Sequence, residues 1–377
     1  MHDSHKFWMM AAVFLVIMGL LVGMYITATP KKMAPVIKKE MPEEIVNAVN
    51  GKTLKKTIVA PYINVKSDNV NNIIYCLAFQ LAWDELGTIM NGDPILYGNP
   101  YTAVNLNKHI GGKNDISEGS YISVSGFAKD GTADKIYKML EEKFNDKPRF
   151  PLSSSEPETI LSYAHLYKNL RFENGFYALP FLMNFNGENV KVFGFENIAA
   201  DPEISAPAQL LYYVNDGEFA INLTSLSEKD EIIFAKTLPD ATLEKTVSKI
   251  SSAIANRKQI SFSEGDMIII PEIDFDIVKS YGELTNKKFL NENFKKYHIS
   301  EALQAIKLKL DSEYDEIKIE ALVERGMGFA TESIDMEHKE QKQLVFNKPF
   351  LLMFIKKGAK QPYFAAWFNN AEMFVKE

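Results

Sequence analysis

Residues 344–370, LVFNKPFLLMFIKKGAKQPYFAAWFNN, set two almost unbroken apolar runs on either side of a short basic turn, a few residues before the last, Glu377. Each run is the length of a strand, and the Lys-Lys-Gly-Ala-Lys between them is turn chemistry, so the pair reads as a hairpin. Burying one Phe or Leu contributes roughly 1.5–3 kcal/mol. A hairpin carrying Phe346, Phe350, Leu351, Leu352, Phe354, Phe364, Trp367 and Phe368 is therefore a large part of a core.

The composition agrees with a folded protein. Of 377 residues 46% are hydrophobic and 12% aromatic, too apolar for disorder and enough for one large or two ordinary domains. A net charge of -7 with lysines spread along the chain argues against a nucleic-acid surface, which needs a concentrated basic stripe. One cysteine, Cys76, excludes an intrachain disulfide and any zinc site built from several thiolates.

The first 28 residues stand apart. Phe7 to Ala28, FWMMAAVFLVIMGLLVGMYITA, is 22 residues without a charge, the length of a transmembrane helix. A cleaved signal peptide is the competing reading, with a shorter apolar region and a small-x-small site that Ile26-Thr27-Ala28 fits poorly. Lys31, Lys32, Lys38 and Lys39 follow the helix and only Lys6 precedes it, which taken literally keeps the rest cytoplasmic. Single N-terminal anchors often deliver their domain outward, and an extracytoplasmic domain is the expectation. Residues 29–57, with three prolines and many charges, read as a tether, and 58–377 as one α+β domain.

Within that domain the spacing of Ile73, Ile74, Leu77, Ala78, Leu81, Ala82 and Leu86 predicts a helix over Asn72 to Leu86. A second helix is expected from Asp134 to Phe144 behind an aspartate cap, and a third over Leu243 to Ile254. ILSYAHLYKNLRF reads as a buried strand. Phe181 to Phe195 and Leu210 to Leu226 read as strand-turn-strand, and EIIFAKTLP and MIIIPEIDFDI as strands. Val278 to Leu284 is expected to be a short helix. LQAIKLKLDSEYDEIKIEALVERG reads as two strand-like pieces turning near Asp311 to Asp315.

Catalytic motifs are missing. VNGKT at 49–53 lacks the first glycine of a phosphate loop, because position 46 is Val46; GMGFAT at 326–331 has Thr331 at the third glycine position. The six histidines show no H-E-x-x-H spacing, and His165 sits in an apolar strand as a core histidine would. Carboxylate pairs such as Asp84 with Glu85 or Asp274 with Asp276 are common among 49 acidic residues. Asn222-Leu223-Thr224 matches a glycosylation acceptor but falls inside a strand-like run. Neither enzyme activity, metal nor cofactor is expected.

The order of elements resembles that of serpins. Phe346-Asn347-Lys348-Pro349-Phe350, followed by a buried strand, a turn and a strand ending near paired asparagines, is similar to that family's closing signature. IKIEALVERGMGFATES resembles its fifth strand of the large sheet running into the hinge, with Glu324 and Gly326 on family positions. IIIPEIDFDI and FAINLTSLSEKDEIIFAKTLP resemble further family strands in the same order. The sequence departs from the family at Tyr75 and Cys76, which replace Ser-Pro, and at Lys168, Asn169, Leu170 and Arg171, where K-G-x-W is usual.

The resemblance implies a multi-sheet domain with a large mixed central sheet, in which the closing hairpin is central and covered on both faces. It implies protein binding through a bait loop, by a protease inhibitor or slow substrate. The hinge would comprise Glu324, Gly326, Met327, Gly328, Phe329, Ala330 and Thr331, and the bait candidates are His338, Lys339, Glu340, Gln341 and Lys342. Lys339 and Lys342 suit a trypsin-like protease; family register points near Glu340. Strand insertion would bury Met327, Phe329, Thr331, Ser333 and Asp335. Phe329 overpacks a site where the family has alanine, at ~1–3 kcal/mol, and a buried Asp335 carboxylate costs more. A non-inhibitory scaffold in a membrane assembly is the alternative.

Overall fold

The computed structural model describes residues 49–50, 54–148, 152, 158–172, 176–198, 208–223, 229–256, 260–263, 265–312 and 341–376. The chain divides into two units, 1–46 and 47–377, and the second holds all the described residues. The expected membrane helix at 7–28 lies outside the described residues; among those described, no helix is long and apolar enough to cross a membrane.

Strands β1 (Val49–Asn50), β2 (Thr57–Ala60) and β3 (Asn72–Cys76) precede helix α1 (Ala78–Met90). Helix α2 (Tyr101–Leu106), β4 (Tyr121–Phe127) and α3 (Thr132–Phe144) lead to the long β5 (Thr159–Phe172). Short strands come next: β6 (Tyr177–Ala178), β7 (Met183–Phe185), β8 (Glu188–Val190) and β9 (Val192–Ile198). Then come β10 (Ala208–Asn215), β11 (Glu218–Leu223), β12 (Asp230–Lys236) and helix α4 (Leu243–Asn256). β13 (Asp266–Pro271), β14 (Ile273–Ser280) and β15 (His298–Ser312) precede the closing β16 (Gln343–Val345), β17 (Phe350–Lys356) and β18 (Phe364–Phe368).

The described strands form a seven-stranded sheet in the order β10-β11-β12-β17-β18-β3-β2 and a five-stranded sheet in the order β1-β14-β15-β5-β4. A third sheet runs β16-β13-β9-β6, and β7 pairs with β8. The fold is α+β, with mixed sheets. The tail hairpin is central, because β17 pairs with β12 and β18 with β3. Every residue of Phe350–Phe354 and of β18 is buried. Strands buried on both faces lose an alternating pattern and read as continuous apolar runs, as the closing stretch does.

Four expectations are corrected. Asn72–Cys76 is a strand, and the helix begins only at Ala78. The run Ile73-Ile74-Tyr75 satisfies helical spacing, but its backbone pairs with β18 on one side and β2 on the other, so tertiary pairing overrides periodicity. Asn72 fixes its start: its Oδ1 accepts from the Asn369 and Asn370 N–H groups at 2.7 and 2.9 Å, tying the closing asparagines to the first core strand.

Val278 to Leu284 is no helix. β14 continues to Ser280 in register with β15, and a turn then buries Tyr281 and Leu284. The tether is also shorter than expected: Leu54 packs on the core, the Lys55 and Lys56 N–H groups donate to Glu372, and β2 starts at Thr57. Helix α3 starts two residues before Asp134, which lies in its first turn. The second strand-like piece expected after Asp315 lies outside the described residues.

His109 holds a surface loop with left-handed backbone, φ 50°. Its Nδ1 lies 2.9 Å from Asp84 Oδ1 and its Nε2 2.9 Å from Asp93 Oδ1, so both ring nitrogens donate only in the imidazolium. The Asp84 hydrogen bond raises its pKa, desolvation opposes it, and Asp93 adds to the rise. A raised folded-state value stabilises below the ordinary ~6.5 and is lost as pH rises through the folded value. With the imidazole 45% exposed, the effect is expected to stay within about 1 kcal/mol. Denaturation midpoints on either side of neutrality should show it, and His109→Ala should abolish it.

Candidate functional site

β5 and β15 form a long parallel pair in register from Thr159 opposite His298 to Phe172 opposite Ser312. Their outer neighbours β4 and β14 pair with them antiparallel. A parallel ladder is slightly less stable per residue than an antiparallel one, and this seam is the long parallel pairing of a sheet whose other described parallel pair, β1 with β14, spans two residues. The chain leaves it at Ser312 and is next described at Gln341, just before β16 pairs with β13.

Alternation gives the seam two faces. Ser162, Ala164, Leu166 and Leu170 sit opposite Ala302, Gln304, Ile306 and Leu310, and all are buried. On the reverse face Tyr163 and Leu303 pack with Ile136 and Leu140 of α3. Towards Ser312 that face becomes polar: the Lys307 ammonium lies 5.5 Å from the Tyr167 ring centre, and Lys309 pairs with Asp311 at 3.2 Å.

Three polar ties fasten the buried face. Ser162 Oγ lies 2.8 Å from Ser125 Oγ, which donates to the Ala82 carbonyl at 2.7 Å, joining β5 to β4 and α1. In the middle, Gln304 Nε2 donates to the Cys76 carbonyl at 3.0 Å while its Oε1 accepts from Tyr281. Near the Ser312 end, Lys168 Nζ meets Asp230 Oδ2 at 2.5 Å, and Ser117 Oγ donates to Asp230 Oδ1 at 2.7 Å. This pair crosses from β5 to β12 in the other sheet, with the two side chains 12% and 2% exposed. Burial alone would raise the Asp230 pKa; the Lys168 hydrogen bond and charge, with Ser117, more than offset it, and the carboxyl is held below its ordinary range.

Of the sequence-expected site residues, Glu324, Gly326, Met327, Gly328, Phe329, Ala330, Thr331, His338, Lys339 and Glu340 lie outside the described residues. Gln341 and Lys342 lie within them. The Gln341 side chain covers Gly265, where a Cβ would collide with its amide nitrogen. Lys342 is clamped: its N–H donates to Asp266 Oδ1 at 2.8 Å and its Nζ lies 2.8 Å from Asp266 Oδ2, with side-chain exposures of 12% and 0%. Gln343 N–H donates to Asp216 at 3.0 Å. A lysine so engaged does not present its ammonium to a partner.

Other motifs resolve into structure. His165 is buried, its Nδ1 3.4 Å from Tyr163 Oη and its ring against Phe144. Asn222 is buried and accepts the Ile232 N–H at 3.0 Å, which leaves no room for a glycan. Asp84 turns to His109 while Glu85 turns to Ser123 at 2.9 Å, so the two do not form a carboxylate pair. Burial pushes the Cys76 thiol up to about 12. Among the described residues, no group of three or more His, Cys, Asp or Glu is arranged to hold a metal.

Sequence reasoning missed Asp230, Asp266, Gln304 and Tyr281. Their partners lie far along the chain: Lys168 to Asp230 spans 62 residues, Asp266 to Lys342 76, and Gln304 to Cys76 228. The one local signal was a polar Gln304 inside the apolar run LQAIKL.

No protein-family model matches the chain. No curated protein matches its sequence either. Among solved structures it is similar to Serpin48, described as a highly specific serpin in the insect Tenebrio molitor, with a TM-score of 0.45 and 11% identity over 79% of this chain and 92% of that one. It is also similar to the serine protease inhibitor (serpin)-12 of Manduca sexta, with a TM-score of 0.41 and 11% identity over the same shares.

Proposed function

We propose that this protein acts by binding a protein partner through the segment that joins β15 to β16, and that the partner is a serine protease, met as inhibitor or slow substrate. The observation that supports it is the seam. A chain turning back at Ser312 runs antiparallel to both β15 and β5, so a strand entering between them exchanges one parallel ladder for two antiparallel ones. That exchange is the driving force a strand-insertion device needs. With the turn after Ser312, the expected hinge residues 324–331 fall within the inserting strand, and with Lys342 clamped, cleavage is expected at Lys339 or Glu340. Residues 7–28 hold the protein in a membrane as a single pass, with the domain on the extracytoplasmic side; protease accessibility on intact cells against spheroplasts tests this.

A second reading, a non-inhibitory scaffold in a membrane assembly, is favoured by the three ties across the buried face. Gln304 fastens β15 to the Cys76 carbonyl, Lys168 fastens β5 to β12, and Ser162 with Ser125 fastens β5 and β4 to α1. β5 and β15 therefore shift against the elements beneath them only as these ties give way, and the incoming strand would carry Phe329 and Asp335. The test is incubation of the detergent-solubilised chain with a trypsin-like protease. The inhibitor reading expects an SDS-resistant covalent complex, and the slow-substrate form of it expects cleavage followed by a large rise in Tm. Cleavage with neither result overturns the protease reading and leaves the scaffold.

A further inference from the structure

Residues 95–97 and 288–290 form a short ladder: Leu290 N–H donates to the Ile95 carbonyl at 2.7 Å and Tyr97 N–H to the Lys288 carbonyl at 2.8 Å. Leu96 and Phe289 oppose each other within it. The Asn291 side chain pins its end, accepting from Ile95 N–H at 2.8 Å and donating to the Asp93 carbonyl at 2.9 Å. Leu96 and Phe289 are buried, and because side chains alternate along a strand, Ile95, Tyr97, Lys288 and Leu290 are directed outward. Their apolar members are 47%, 69% and 51% exposed. Helix α2, beginning behind Pro100, adds Tyr101 and Val104 on one face three residues apart, 62% and 38% exposed.

The face has a particular chemistry. Two aliphatic side chains stand at opposed positions, with two tyrosines beside them. The flanking stretch 287–297 carries Lys287, Lys288, Lys295 and Lys296 with the one carboxylate of Glu292, in a chain of net charge -7. Lys296 Nζ lies 3.9 Å from Glu158, and Asp93 beside Ile95 and Glu283, which accepts from Thr102, border the face, so Lys287, Lys288 and Lys295 are its cationic side. Aliphatic centre, tyrosine rim and lysine flank match the layers of a bilayer surface, where tyrosine sits at the headgroups and lysine meets anionic lipid. Exposed apolar patches of this kind mark interaction sites, and the backbone ladder prevents these side chains from folding inward.

We propose that this face docks on an anionic lipid surface. The inference rests on the reading that residues 7–28 cross a membrane. Residues 29–48 then reach at most about 70 Å, which keeps the domain near the bilayer at high effective concentration.

The full chain in vesicles containing anionic lipid tests it, with Val104→Cys carrying an environment-sensitive fluorophore and Leu238→Cys, 79% exposed on the β12–α4 connection, as control. Cys76 does not compete for the label, being fully buried with its thiol pushed up to about 12. Lipids with a quencher at headgroup depth are expected to suppress the residue-104 probe and spare the residue-238 probe. High salt, or Ile95→Asp with Leu290→Asp, is expected to remove that difference. Equal or absent quenching in a chain that resists alkaline extraction overturns the docking while the anchor stands. Release by alkali overturns the anchor and the docking with it. A residue-104 signal that follows protein concentration without quenching assigns the face to a second copy and overturns the proposal.

Discussion

Phe350→Ala is expected to lower stability by about 3–5 kcal/mol, enough to leave a typical domain of about 5–15 kcal/mol marginal. Phe350 is fully buried in β17, with ring centres of Phe346 and Phe368 at 5.2 Å, Phe234 at 5.8 Å, Phe374 at 5.9 Å and Phe185 at 6.0 Å. Those rings come from separate stretches of chain, so the cavity left by truncation cannot close without moving several backbones. Denaturant unfolding of the parent and the variant measures the loss. The exposed Leu238→Ala, expected within about 0.5 kcal/mol of parent, is the control. A Phe350→Ala loss as small as the control's would mean that the closing hairpin is not the heart of the core.

Breaking one side of the Lys168–Asp230 pair should be as damaging. Lys168→Met strands the Asp230 carboxylate, 2% exposed, between two sheets, and removing one partner of a buried pair typically costs about 3–5 kcal/mol. Replacing both, as Lys168→Met with Asp230→Leu, is expected to recover most of that loss, because the cost lies in the uncompensated charge and not in the absence of the pair. The pH dependence has a definite sign. A carboxyl held below its ordinary value stabilises above ~3.9, and that contribution is lost as pH falls through the folded value. Thermal unfolding of the parent, Lys168→Met and the double variant near neutrality, with an acid titration of the parent, decides the matter. If Lys168→Met unfolds like the parent, the tie is not a fastener and the seam is freer than its geometry implies.

Both results bear on function. Between β5 and β15 a strand could add to this sheet with antiparallel partners on both sides, and Lys168 sits on that seam. Weakening the tie is expected to favour strand insertion under the protease reading, and to do nothing but destabilise under the scaffold reading. Protease trapping by Lys168→Met with Asp230→Leu therefore separates two readings that unfolding alone does not.

Much of the fold was legible along the chain. The apolar runs of β5, β12, β13, β17 and β18, and the amphipathic stripes of α3 and α4, come from which residues repeat at what spacing, and that is local information. What the spacing left open was the neighbour. Ile73 and Ile74 fit a helix as well as a strand until β2 and β18 pair with them from both sides, and Val278 joins a strand because β15 runs alongside to Leu303. The ties at Lys168–Asp230, Lys342–Asp266 and Gln304–Cys76 were invisible for the same reason. A side chain's periodicity reports which face it occupies, whereas the partner of a buried charge or amide is chosen by strands that meet only after the chain has folded, here 62 to 228 residues apart.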